Sequence, residues 1–296
     1  MHMLDGVMIV AVGVIGAIFG SFAGATVWRL RRRQLRADAQ AGEKVSGAEK
    51  RQVAKLQDRP LHSDRSVCLH CGHELRWYDL LPLVSWLQLG GKCRYCRTSI
   101  GWFEPLMEIG VATFFVVSYI FWPYGLSSTL ELIQFALWLI AGVGLAILFA
   151  YDAKWFLLPN RIVFPLIGLG VVYSGIVIAT SDFAPSAVSS VVFSCVILSG
   201  LYYVIYVVSG GRWVGFGDVK LGLALALFLA DWQLAILALF FANLIGTVLL
   251  LPLMIIGKVK RQAHVPFGPL LIAGWAVAGL FGATIMQWYT ALVLGV

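Results

Sequence analysis

Charge is what this chain has least of. Of its 296 residues 12% are charged against 60% hydrophobic, and only 15 are acidic. A water-soluble domain would have too little polar surface to cover such a core, so a soluble globular protein is excluded. Disorder is excluded as well, because disordered chains are poor in apolar residues. Basic residues are absent over long stretches: residues 29–106 hold 15 of the 22 Lys and Arg and 8 of the 15 acids, which is the whole of the formal +7. One basic insert interrupts a lipid-compatible chain, and that distribution sets nucleic acid aside as a partner. A glycine-rich dinucleotide fingerprint following a strand is missing, and so is any convincing internal repeat.

What is present is a series of apolar runs, most of them near the roughly 20 residues that cross a bilayer core as a helix. They cover residues 6–28, 105–122, 132–151, 162–179, 186–208, 219–230, 234–256 and 270–289. The expected fold class is therefore an all-α polytopic membrane protein of about eight transmembrane helices. A seven-span reading stays open, because the sixth run is about 12 residues long and ends at Asp231. Three regions follow: residues 1–28 as the first transmembrane helix, 29–104 as a basic loop, and 105–296 as a membrane domain of about seven helices.

Lys and Arg accumulate on the cytoplasmic side of membrane proteins. With the N-terminus outside, the loops at 29–104, 152–161, 209–218 and 257–269 face the cytoplasm, and with their borders they hold every Lys and Arg in the chain. The opposite side keeps Asp5, Glu131, Asp182 and Asp231. The first run has the length of a signal peptide, but its bases follow the apolar stretch instead of preceding it, so a retained helix is expected.

In the insert, residues 31–65 read as a solvated helical extension near anionic lipid headgroups. Two C-x-x-C pairs follow, Cys68-Leu-His-Cys71 and Cys93-Arg-Tyr-Cys96. Four thiolates from two such knuckles close a tetrahedron around Zn²⁺, and the spacing suits a zinc-ribbon-like module. Two disulfides are the competing reading, disfavoured in a reducing cytoplasm. A redox C-x-x-C lacks its βαβ context. Four thiolates leave no open position, which makes a structural Zn²⁺ site the expectation.

Ionisable groups in or beside spans are functional candidates by default. Asp231 reads as a loop acid. Glu108 lies about one turn into the second span, where it either pairs structurally or supports a site. Asp152 closes the third span, and Asp218 opens the sixth within Gly215-Phe-Gly217-Asp218-Val-Lys220, so both fall at one membrane face. Singly, each is an ordinary interfacial cap. Together they permit aspartyl-protease chemistry, one carboxylate activating water while the other donates a proton to the carbonyl. Two carboxylates about 4 Å apart repel by about 4 kcal/mol at an effective dielectric of about 20, which favours a shared proton. Asp152 at a helix C-terminus and Asp218 at an N-terminus suggest Asp152 as the acid and Asp218 as the base. Two other classes compete: a zinc-ribbon membrane scaffold or sensor, and a proton-coupled transporter, whose acids would sit nearer the midplane of related halves.

With Gly20-Ser-Phe22 and Arg29, the cysteine pairs flanking Leu81-Pro-Leu-Val-Ser-Trp86, Pro105-Leu-Met-Glu108, Asp152 with Pro159-Asn160, the Gly215–Leu221 segment and Pro266-Phe-Gly-Pro269, the chain resembles the type IV prepilin peptidases. The resemblance spans nearly its whole length. It implies a membrane enzyme of the bacterial inner membrane that cleaves the basic leader of type IV prepilins or type II secretion pseudopilins after Gly, with Asp152 and Asp218 as the catalytic pair. It also implies methylation of the new N-terminus from S-adenosylmethionine, with no conventional Rossmann pocket to hold the donor. Gly215, Gly217, Lys220 and Glu108 stand as supporting residues. The chain departs from the family in carrying Gly24 where Asn is frequent and Asn160 where Asp is frequent; an amide cannot serve as the acid.

Overall fold

The computed structural model describes residues 2–56, 65–257 and 265–294. Residues 57–64 of the basic insert, and Lys258, Lys260 and Arg261 of the last basic loop, lie outside the described residues. The chain divides into two compact units, residues 1–120 and 121–296.

The first unit begins with α1 (His2–Gln40), which continues well past the apolar run into the basic segment. The short α2 (Gly47–Val53) is capped by the Ser46 side chain and held to α1 by the pairing of Arg31 with Glu49. A turn of 3₁₀ helix at Trp77–Leu80 and α3 (Val84–Gln88) lead to α4 (Phe103–Phe121). Glycines let α1 lie directly on α4: a Cβ at Gly16 would stand 2.8 Å from Ala112 Cα, and one at Gly20 would stand 2.6 Å from Glu108 Cα. Small residues at such spacing are how membrane helices approach closely where lipid offers no hydrophobic drive between them.

The second unit contains α5 (Thr129–Trp155), α6 (Asn160–Thr180), α7 (Pro185–Cys195), a π-helical turn at Val196–Gly200, α8 (Leu201–Ser209), α9 (Phe216–Leu229), α10 (Trp232–Ile255) and α11 (Phe267–Leu294). Its centre is aromatic, with Trp138 stacked on Trp275 at 3.9 Å between ring centroids and Phe228 edge-on to Trp275 at 6.5 Å. Helix α11 crosses α10 closely, since a Cβ at Gly274 would stand 2.3 Å from Ala238 O. Two of the four acids expected on the outer side serve as caps: Glu131 closes a capping box with Ser128, and Asp231 accepts from Gln233 and Leu234 N–H at 2.8 and 3.0 Å.

The architecture is all-helical, with no strand among the described residues. Of the eight apolar runs, seven form helices long and apolar enough to cross a membrane. The sixth run is α9, whose 14 residues reach about 21 Å against a core of about 30 Å. Its burial explains how so short a helix is tolerated, as almost every residue from Val219 to Ala230 is buried in protein. Neighbouring hydroxyls reach two carbonyls of its last turn: Ser174 donates to Leu227 O at 2.6 Å, and Ser194 to Ala226 O at 3.0 Å beside the Ala230 N–H. A helix end at membrane depth requires such partners because lipid supplies none.

Candidate active site and metal centre

Helix termini position the two aspartates. Asp152 sits in the last turn of α5, 5% exposed. Its Oδ2 accepts a hydrogen bond from Gly268 N–H at 3.0 Å, an amide in the first turn of α11 that has no partner within its own helix. Asp218 is the third residue of α9 and accepts from Gly215 N–H at 3.2 Å, closing the turn that starts the helix. Asp218 interacts electrostatically with Asp152 and with the buried Tyr202 of α8. Both carboxylates thus meet the N–H groups of a helix start. That alters the expected division of labour: Asp152 ends one helix but faces the beginning of another, and the α11 dipole opposes that of α5. Helix direction no longer assigns the proton to either residue.

The flanking residues each have a definite place. A Cβ at Gly217 would press on Leu158 at 3.2 Å, so this glycine lets α9 start against the α5–α6 connection. The Lys220 ammonium donates to Asn160 Oδ1 and lies 5.3 Å from the centre of the Phe216 ring. Asn160 therefore ties the start of α6 to α9 as an acceptor, a role an amide fills without a proton to give. Glu108 belongs to the first unit, where its Oε2 accepts from Leu83 N–H at 2.8 Å. Leu83 has φ +59°, a region L-residues avoid, and the Glu108 contact helps hold that turn.

Tyr202 escaped the sequence reading, and Gly268 entered it only within Pro266-Phe-Gly-Pro269, with no role of its own. A glycine between two prolines at a helix start was a usable signal for Gly268, because it marks a close backbone approach. Nothing in the residue pattern around Tyr202 distinguished it from an ordinary apolar helix.

The four cysteines come together as expected. The Sγ atoms of Cys68, Cys71, Cys93 and Cys96 lie within 4.8 Å of one another, with Cys68 and Cys96 at 3.9 Å, and none is in a disulfide. A Zn–S distance of about 2.3 Å gives a tetrahedral edge of about 3.8 Å, so the donor set fits Zn²⁺. Two knuckles with the same backbone pattern, 25 residues apart, build the site. Gly72 N–H donates to Cys68 O and Cys68 N–H to His73 O; Arg97 N–H donates to Cys93 O and Cys93 N–H to Thr98 O. The turn after each pair needs a left-handed residue, Gly72 at φ +77° and Arg97 at φ +60°. Burial pushes the Cys68 thiol up to about 12, whereas the Thr98 hydroxyl and backbone bring Cys96 down to about 6.

Residues 14–122 match the family model of the bacterial peptidase A24 N-terminal domain, and residues 139–251 that of the type IV leader peptidase family. A curated protein of Pseudomonas aeruginosa is 31% identical over 285 residues, covering 93% of this chain and 91% of that one. The chain belongs to the type IV leader peptidase family. That relative is named prepilin leader peptidase/N-methyltransferase, as are relatives from Stutzerimonas stutzeri, 31% identical over 93% of this chain and 91% of its own, and Dichelobacter nodosus, 30% identical over 93% and 92%. No solved structure matches. Both family segments coincide with chemistry already placed: the cysteine knuckles fall in the N-terminal one, and Asp152 and Asp218 in the type IV leader peptidase one.

Proposed function

We propose that this chain is a membrane aspartyl endopeptidase that removes the basic leader of type IV prepilins or type II secretion pseudopilins after Gly, then methylates the exposed amine from S-adenosylmethionine. The observation that carries the cleavage is the interaction of the Asp152 and Asp218 carboxylates, each held by a backbone N–H at a helix start. In this reading one carboxylate takes a proton from water as it attacks the scissile carbonyl, and the other, protonated, donates to the carbonyl oxygen. Collapse of the tetrahedral species breaks the C–N bond, and the leaving amine takes up a proton. Gly215 and Gly217 supply the close turn that presents Asp218, while Lys220 braces α9 on Asn160.

The enzyme sits in the bacterial inner membrane with its N-terminus outside and Asp152 and Asp218 at the cytoplasmic face, a topology supported by the confinement of Lys and Arg to alternate loops. A prepilin suits that placement, with an apolar helix that remains in lipid and a polar leader at the cytoplasmic surface. The +7 insert repels a basic leader and instead lies against anionic headgroups. Cys68, Cys71, Cys93 and Cys96 hold a structural Zn²⁺ that organises the knuckles.

The test is cleavage of a prepilin by wild type, Asp152→Asn and Asp218→Asn reconstituted in membranes. Each variant is expected to lose about 10³-fold or more of its turnover. Substantial turnover in either one removes the paired-carboxylate mechanism. For the second activity, the mature N-terminus is weighed after incubation with labelled S-adenosylmethionine, and absence of the added methyl group rules methylation out.

A further inference from the structure

Between the two cysteine knuckles the chain presents an apolar outer face. Residues 77–91 hold a single charged side chain, Asp79. It is turned inward, 4% exposed, and accepts from Arg94 Nε at 2.7 Å and from the Tyr95 hydroxyl at 3.0 Å. The groups left outside are large and hydrophobic. Trp77 is 75% exposed and Leu87 68%, with Leu81 and Val84 exposed beside them. Val84 and Leu87 stand three residues apart on α3 and so share one face. After the second knuckle come Trp102, 65% exposed, and Leu106 in the first turn of α4, also exposed. Apolar surface of this extent marks a contact with a protein or a membrane.

Contacts with α4 fix the depth of this segment. The 19 residues of α4 rise about 28 Å, close to the roughly 30 Å of a bilayer core, so Phe103 stands near the headgroup boundary. Glu108 is five residues further on, about 7.5 Å along the helix axis, and its Oε2 accepts from Leu83 N–H at 2.8 Å. Trp86 N–H donates to Gly101 O at 3.0 Å, and the Trp86 and Trp102 rings meet at 4.6 Å between centroids. Helix α3 therefore lies beside the first turns of a membrane helix, level with the headgroups and upper acyl carbons. Backbone at that depth must find its partners within the protein. Pro82 has no N–H to satisfy, and the amides of Leu83, Ser85 and Leu87 donate to Glu108 Oε2, Leu81 O and Leu83 O. We propose that the face formed by Trp77, Leu81, Val84, Leu87 and Trp102 inserts into the bilayer boundary and docks the cysteine module on the leaflet that α4 enters. The partner is the boundary between headgroups and acyl chains, where indoles settle at headgroup level and aliphatic side chains just below. This contact differs from that of residues 31–65, whose attraction to lipid is electrostatic, and it does not depend on the peptidase reading. Through Trp102 and Leu106 it continues the lipid-facing surface of α4, so module and helix share one membrane contact.

The test uses the full zinc-loaded chain in phosphatidylcholine nanodiscs, with a fluorescent coumarin amino acid replacing Leu87 in one variant, Trp77 in a second, and Lys44, exposed beyond the end of α1, in a third. Nitroxides placed along the acyl chains should put the probe at position 87 about 5 to 10 Å below the headgroup surface. Aqueous iodide should quench the probe at position 44 and spare those at positions 77 and 87. Added anionic lipid should leave the depth unchanged, because the face carries no exposed charge. Iodide quenching at position 87 equal to that at position 44 overturns the proposal. So does insertion that requires anionic lipid, which would make the contact electrostatic, or shielding that arises only when a prepilin is added, which would make the face a substrate surface. Thermal midpoints check folding, and if the Leu87 variant fails to fold, iodide access at position 77 decides.

Discussion

Replacing Gly268 by alanine places a methyl carbon 2.8 Å from Asp152 Oδ2 and 3.3 Å from its Cγ. The backbone tolerates the change, because Gly268 is not among the left-handed glycines, and the other near neighbour, Leu221 Cδ2 at 3.5 Å, is at ordinary contact distance. The carboxylate must therefore withdraw by about 0.6 Å to reach an ordinary 3.4 Å contact, more than the roughly 0.5 Å within which catalytic groups need to be held. That movement stretches the 3.0 Å hydrogen bond from Gly268 N–H beyond useful length. A hydrogen bond to a charged group contributes about 1.5 to 3 kcal/mol, so kcat should fall by about 10- to 150-fold at about 1.4 kcal/mol per decade. The assay is prepilin turnover at saturating substrate in proteoliposomes, with the thermal midpoint as the check on folding. Gly168→Ala serves as the control, since a Cβ there meets nothing within 4 Å. A folded Gly268→Ala enzyme with wild-type kcat refutes the argument that the α11 amide sets the working position of Asp152.

Three further outcomes follow from packing and thiol chemistry. Gly222→Ala puts a Cβ 2.3 Å from the Leu198 carbonyl of the π-helical turn; overpacking against backbone should cost about 3 kcal/mol, seen as loss of folded protein in detergent, and a thermal midpoint equal to wild type contradicts it. Arg97→Gly relieves a left-handed arginine at φ +60° and should stabilise the knuckle module by up to about 1 kcal/mol after the entropy of the new glycine, and a lowered thermal midpoint of the zinc-loaded protein counts against it. Zinc affinity should fall at least tenfold per pH unit between pH 8 and 7, because the Cys68 thiol, raised to about 12, is protonated throughout and must release its proton on binding. Below about pH 6 the Cys96 thiolate also takes up a proton and the slope steepens. Competition against a chromophoric chelator measures this, and a pH-independent affinity would be inconsistent with thiol ligation.

Residue order alone carried the membrane character, the positions of the apolar runs, the pairing of the four cysteines as candidate metal ligands and the choice of the two aspartates as candidates. Hydropathy is read over windows of neighbouring residues, and ligand spacing within a knuckle is local, so neither needs the folded chain. The knuckles show the limit of that locality: each C-x-x-C is visible in sequence, but the repetition of one hydrogen-bonding scheme at residues 68–73 and 93–98 emerges only from the backbone.

Tertiary structure decided what depends on contacts between distant segments. How so short a sixth run is accommodated could not be judged from its 12 residues, because Ser174 and Ser194 reach the end of α9 from other helices. The macrodipole argument for the proton was incomplete for the same reason: it considered the helix to which Asp152 belongs and not the α11 terminus, 116 residues away in sequence, that donates to it. Composition and short-range pattern determine which groups are available in this protein. The field each group experiences is set by helix ends and hydroxyls brought in by folding, and so the placing of Asp152 against Gly268 belonged to the structure alone.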